Sequence, residues 1–158
     1  MLLELTSHLP PSIIRTEAQK RVAFNQAKKL VKNKGIINLG AGIYRQPFAY
    51  SVAHSPEVKL NVDITPDGVS NFLQLDLNQT PYPFKDKQFD VCFSSHVLEH
   101  LENWQDALNE MTRIADYVVI AIPHPLNLLA CLNPNHKQHF SFSKIREIRN
   151  FPNVFVHY

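Results

Sequence analysis

Two segments constrain this chain more than any other feature: INLGAG, ending at Gly42, and FDVCFSSHVLEHL, running from Phe89 to Leu101. Each opens as an apolar run of strand length. The first enters a glycine turn, where a missing side chain lets backbone come close to a ligand, and the second ends in polar residues.

The rest of the chain alternates in the same style. Thr16 to Gln19 forms a capping box, after which Ala23, Phe24, Ala27, Leu30 and Val31 recur at helical spacing until Gly35 closes the helix. Ile36, Ile37 and Leu39 make a short buried strand, and further strands are expected at Val58 to Ile64, Phe72 to Leu75, Phe89 to Ser94 and Tyr117 to Ile122. Asn103 caps a second helix, with Asp106 in its first turn and Trp104, Ala107, Leu108, Met111, Ile114 and Ala115 on one face. After the proline-punctuated loop of Pro123, Pro125 and Pro134, Ser141 or Ser143 caps a third helix, and Val154 to Tyr158 is a last strand. This order predicts an α/β fold with a mainly parallel sheet covered on both faces and a site at the carboxyl ends of its strands. One link is short. Thr65 to Asn71 alone joins the second and third strands, where a parallel crossover normally takes a dozen residues or more, so either the crossover is abbreviated or those strands do not pair.

A chain of 158 residues suffices for one domain with its own core, buried without disulfides or a metal. We read residues 1–158 as that domain: a helical segment over 1–34, a ligand-binding core over 35–122, and a loop, helix and last strand over 123–158. Cys92 and Cys131 are far apart in sequence, which fits a reduced, cytoplasmic compartment. No apolar run is long enough for a membrane span, and Glu4 without a basic leader argues against a signal peptide. The formal charge of +2 is too small to indicate nucleic acid, and Lys28, Lys29, Lys32 and Lys34 suit the last turn of a helix.

Asp63 falls about twenty residues beyond the glycine turn, at a strand's carboxyl end, where a carboxylate can accept from both hydroxyls of a ribose. A turn or cap near Thr65 and Pro66 is the plainer use of that residue. A nicotinamide dinucleotide would need a third glycine where Arg45 stands. His96, Glu99 and His100 spell the inverted zinc-protease motif, but it begins at a strand's end and not on a helix, which disfavours a peptidase.

Together these motifs, in this order, resemble the class I S-adenosylmethionine-dependent methyltransferases, of the small type 11-like kind, from Gly35 to about Ile148. The resemblance implies a Rossmann-like, doubly wound fold truncated at its C-terminal strands. The family pattern usually starts with an acidic residue and reaches a third glycine, positions held here by Asn38 and Tyr44. A branch of the family associated with polysaccharide and glycosyl-transfer pathways is similar in its Asn-Leu-Gly start and Asn-Val-Asp strand end, here Asn38 to Gly40 and Asn61 to Asp63.

The implied cofactor is S-adenosylmethionine. By resemblance Asn38, Gly40 and Gly42 lie along its methionine part, Asp63 with Ile64 holds the ribose, Asp76 with Leu77 meets the adenine, and Ser94 borders the sulfonium. Methyl transfer is an in-line displacement, so a protein has mainly to align the reacting atoms. A protonated oxygen or nitrogen acceptor also needs a base, and His96 and His100 are the candidates. No metal is assigned, although some RNA-terminal and quinone-pathway methyltransferases look similar in using a Glu-His pair and a later histidine for a divalent ion. Glu99 and His100 match that pair, His96 takes an outer ligand's place, and His136 or His139 could complete the set. The resemblance also puts acceptor specificity in His124 to Asn133 and Asn135 to Phe142. Relatives usually finish the sheet with two more strands, so an exposed edge or the C-terminal region is expected to form a homodimer. A non-catalytic scaffold with this fold is the alternative from another class.

Overall fold

A computed structural model of the chain describes residues 11–42, 47–65, 69 and 71–158. In chain order the elements are α1 (Pro11–Lys29), β1 (Ile36–Leu39), α2 (Pro47–Ala53), β2 (Val58–Asp63), β3 (Phe72–Gln74), β4 (Phe89–Ser95), a 3-10 turn (Leu98–His100), α3 (Trp104–Ile114), β5 (Ala115–Ala121), α4 (Leu128–Cys131), α5 (Phe142–Arg149) and β6 (Val154–His157). The strands form one sheet in the order β3-β2-β1-β4-β5-β6, every neighbouring pair parallel. This is the doubly wound arrangement expected from the sequence. The chain reverses direction across the sheet between β1 and β4, which opens a crevice beyond their carboxyl ends.

Both faces are covered because the central strands are apolar on both sides. Ile37, Leu39, Cys92, Val118 and Ile120 pack with Trp104, Leu108 and Met111 of α3 and Ile145 and Ile148 of α5. On the other face Ile36, Val91, Phe93 and Val119 meet Ala23, Phe24 and Ala27 of α1 and Phe48 and Val52 of α2. The α3 cap is as expected, with the Asn103 side chain accepting from the Asp106 backbone N–H, and Ser141 rather than Ser143 caps α5.

Several boundaries differ. Helix α1 starts at Pro11, ahead of the capping box, because proline already has the backbone angle of a first helical position. Gln19 closes no box. Its Nε2 donates to the carbonyls of Ile122 at 2.8 Å and His157 at 2.9 Å, which pins α1 over the carboxyl ends of β5 and β6. The helix also ends at Lys29, short of Gly35. Strand β5 begins at Ala115, directly after α3. β2 and β3 do pair, so the crossover between them is abbreviated, and Pro66 within it lies outside the described residues. The last strand runs parallel beside β5 and leaves β6 and β3 as the two sheet edges.

Asp90 locks the opposite, amino-terminal end of the sheet. Its Oδ2 accepts backbone N–H bonds from Lys32 at 2.9 Å, Lys34 at 2.7 Å and Gly35 at 2.9 Å, joining the α1–β1 turn to β4. Burial alone would raise its pKa, but those three donors outweigh burial and hold the carboxyl below its usual range. A carboxylate with a lowered folded-state pKa stabilises the fold above its unfolded pKa, and that contribution disappears as pH falls through the folded value. Asp90→Asn is therefore expected to cost about 2 kcal/mol or more at pH 7 in urea unfolding, with the gap to the native chain narrowing below about pH 4. A gap independent of pH would contradict the charge-based account.

Candidate functional site

A cleft of about 600 Å³ lies beyond the carboxyl ends of β1 to β4. One wall is the turn after β1, where the Gly40 and Ala41 N–H groups both donate to the Val62 carbonyl, at 2.8 and 2.9 Å. Gly40 has φ of +73°, and a β-carbon there would lie 2.1 Å from Cγ2 of Val97. The sequence reading kept that space for a ligand. In the structure Val97, from the loop after β4, occupies it. At Gly42, φ of +77°, the Cβ position meets Ala49 at an ordinary 3.7 Å, and its N–H donates to Asp63 Oδ2 at 2.9 Å. Asp63 Oδ1 accepts from Thr65 N–H at 3.0 Å. One carboxylate thus ties the glycine turn to the end of β2 while it lines the cleft. Tyr44 and Arg45 lie outside the described residues.

Asn38 belongs to a buried chain of amides. Its Nδ2 donates to Asn61 Oδ1 at 2.8 Å, and Asn61 Nδ2 donates to the Ala53 carbonyl at 3.0 Å and to Asn71 Oδ1 at 3.1 Å. Asn71 Nδ2 in turn reaches the Val58 carbonyl at 3.1 Å. These bonds link β1, β2, α2 and the start of β3 beneath the cleft, where an unpaired amide would be costly. At the β3 side, Asp76 and Leu77 also line the cleft. Asp76 Oδ1 accepts from the Asn78 N–H at 2.9 Å, so it forms a turn as well as facing the opening. Ile64 is a well exposed lining residue.

Strand parity decides the β4 side. Ser94 shares a face with Cys92, is fully buried and does not line the cleft, whereas the next residue, Ser95, does. Its hydroxyl has no hydrogen-bond partner among the described residues. His96 follows in the left-handed region at φ +57°, which turns the chain sharply out of the strand. Burial, with Lys20, His136 and His100 adding to it, pushes its pKa down to about 3, so the imidazole is neutral at neutral pH. Glu99 is 1% exposed, and neither of its carboxylate oxygens has a hydrogen-bond partner among the described residues. Burial raises it to about 7. Oε1 lies 3.4 Å from His96 Nδ1, a contact without hydrogen-bond geometry.

The stretch after α4 comes back over this corner. Lys137 and Gln138 donate their N–H groups to the Glu99 carbonyl at 2.7 and 3.0 Å, and His100 Nδ1 lies 3.0 Å from the Asn135 carbonyl. This strap sets His136 against His100, ring centroids 4.8 Å apart. One ligand atom each from Glu99, His100 and His136 lies within 4.8 Å of the other two. His139 is not part of that group. It borders a smaller cavity of about 130 Å³, together with His124 and Cys131, which Glu99 and His136 join to the main cleft. The sequence reading missed Lys20, which reaches the cleft from α1 and is its one lysine or arginine among the described residues.

Residues 39–116 match the model of a methyltransferase domain family. Among solved structures, a SAM-dependent methyltransferase from Archaeoglobus fulgidus aligns at a TM-score of 0.65 and 21% identity, over 85% of this chain and 66% of that one. A SAM-dependent methyltransferase from Thermotoga maritima aligns at 0.58 and 18% identity, over 86% and 73%. The YcgJ protein of Bacillus subtilis aligns at 0.54 and 19%, over 80% and 64%. This chain therefore spans about two thirds of the length of these structures. The comparison with curated proteins gave no match. The family match covers residues 39–116, just under half of the chain, and the solved structures, at 18–21% identity, show a fold that the chain shares with them. No helix among the described residues is long and apolar enough to cross a membrane.

The interlock of Gly40 with Val97 has a measurable consequence. Gly40→Ala is expected to cost about 3 kcal/mol in urea unfolding, the sum of left-handed backbone strain and overpacking. In a Val97→Ala background the added cost should fall towards the backbone strain alone, about 1 kcal/mol. Equal costs in the two backgrounds would show that Val97 is not the obstacle.

Proposed function

We propose that this protein transfers a methyl group from S-adenosylmethionine to an oxygen or nitrogen acceptor. The observation that carries the reading is the Asp63 carboxylate, held by Gly42 and Thr65 N–H groups at the mouth of the crevice where the strand order reverses. When bound, the cofactor supplies a methyl carbon already activated by positive sulfur. Asp63 would accept from the ribose hydroxyls, with Ile64 beside them, and Asp76 and Leu77 would take the adenine end. Asn38, Gly40 and Gly42 support the methionine side through their amide network and turn. Ser95, rather than Ser94, is the β4 serine on the cleft wall.

The acceptor would enter from the corner closed by residues 133–138. As the methyl bond forms, the acceptor's proton has to leave, and of the three imidazoles that line the cleft, His96, His100 and His136, the first two are the candidates to take it. Burial works against protonation of His96, and His100 is the more exposed of the two. The sheet edges at β3 and β6 pair with no further strand among the described residues, and we extend the proposal to a homodimer formed through an edge or the C-terminal region.

A metal-assisted variant is favoured by one observation, the orphaned Glu99 carboxylate beside His100 and His136. Those three residues would hold a divalent ion, and the ion would supply an electrophile for acceptor oxygens. Manganese should then bind the native protein and fail to bind Glu99→Gln and His136→Ala, as read by calorimetry. Absence of binding to the native chain would exclude this variant.

Calorimetric titration with S-adenosylhomocysteine tests the main reading. Micromolar affinity that Asp63→Ala weakens by about 2 kcal/mol, roughly thirtyfold, is the expected result. No heat up to millimolar ligand, from folded protein, would favour the non-catalytic scaffold, a role in which the amide network beneath the turn serves packing alone.

A further inference from the structure

Lys20 is a cation in a place that its own partners do not explain. Its side chain is 13% exposed, its salt-bridge partner is Glu17 on the same helix, at 3.4 Å, and the other carboxyl within its electrostatic reach is the buried Glu99, which burial pushes towards the neutral form. A pair three residues apart on one helix face contributes only a few tenths of a kcal/mol, and lysines are almost never buried without a strong partner. Nor is the position an accident of a loose helix. The neighbouring Gln19 fixes α1 to the carboxyl ends of β5 and β6, and Gln26 Oε1 contacts His157 Nε2 at 2.6 Å one stretch further on. With both ends of that stretch anchored, residue 20 is held against the cleft it lines.

The cleft is polarised along its length. Asp63 and Asp76 stand at the β2 and β3 end, and Lys20 stands near His96 at the β4 end, where the other acid, Glu99, is pushed by burial towards its neutral form. Ser95 Oγ and His96 Nε2 are both buried there without a hydrogen-bond partner among the described residues. A ligand matching this pattern offers hydroxyl or amine donors at one end and an anion at the other. We propose that Lys20 binds a ligand carboxylate, that of the amino-acid portion of S-adenosylmethionine, and so fixes which way the cofactor lies in the cleft. This assignment rests on the cofactor reading above. A carboxylate on the methyl acceptor has the same chemistry, and the two sources respond differently to one pair of ligands.

The test compares S-adenosylhomocysteine with 5′-methylthioadenosine, which keeps the nucleoside and lacks the amino-acid end. Lys20→Met should weaken the first by about tenfold or more and leave the second unchanged, while Lys20→Arg retains most of the affinity for both. Thermal melting shows whether the variants are folded. Unchanged S-adenosylhomocysteine affinity in folded Lys20→Met overturns the assignment, and it is also the result that an acceptor carboxylate would give. An equal loss for both ligands overturns it too, because it would reflect a distorted cleft. If the native protein binds neither ligand, the cofactor reading itself has failed, a result distinct from failure at Lys20.

Discussion

Two loops at the carboxyl end of the sheet can close on each other because Gly40 has no side chain. Val97 fills the space a β-carbon would take, so the turn after β1 and the loop after β4 form one interlocked surface. The groups around the cleft inherit their positions from that contact. On one side Gly42 reaches Asp63, and on the other His96 leaves the strand in a left-handed conformation just before Val97. Glycine is usually read as making room for a ligand. At this position it makes room for protein, whereas Gly42, which also lines the cleft, has a less crowded Cβ direction.

The two buried carboxyl groups near the ends of β4 have opposite fates. Asp90, at the amino-terminal end, spends one oxygen on three backbone donors and is held in its charged form. Glu99, just beyond the carboxyl-terminal end, has no donor for either oxygen among the described residues and is pushed by burial towards the neutral form. A carboxyl that satisfies backbone stabilises a fold, whereas one left unsatisfied at a cleft wall costs stability and marks a place where a ligand, proton or ion completes the chemistry.

Much of the fold was legible because parallel strands read as short runs rich in apolar residues, and all six strands of the sheet were expected from the sequence. The α3 cap and its apolar face followed from Asn103 and the spacing of Trp104, Leu108 and Met111. Helix α2 was missed, since seven residues starting at a proline carry too little periodicity to register. The start of α1 was misplaced because the Thr16–Gln19 pattern mimics a capping box, while Gln19 is used for a contact with residues more than a hundred positions away. Gly42 was expected from the glycine turn, Asp63 from its distance to a strand's end and Asp76 from the family resemblance, and all three line the cleft. Ser94 was chosen over Ser95 although strand alternation from Cys92 could have separated them. Lys20 and the burial of Glu99 had no local signal, because both depend on which helix and which strap the fold lays over the cleft.

The most direct test of the account is a crystal structure of the protein grown with S-adenosylhomocysteine. The account predicts the ligand in the crevice at the β1–β4 switch point, its ribose hydroxyls on Asp63 and its adenine beside Asp76 and Leu77. A ligand bound elsewhere, or an occupied cleft with Asp63 turned away and still bonded only to Gly42 and Thr65, would contradict it.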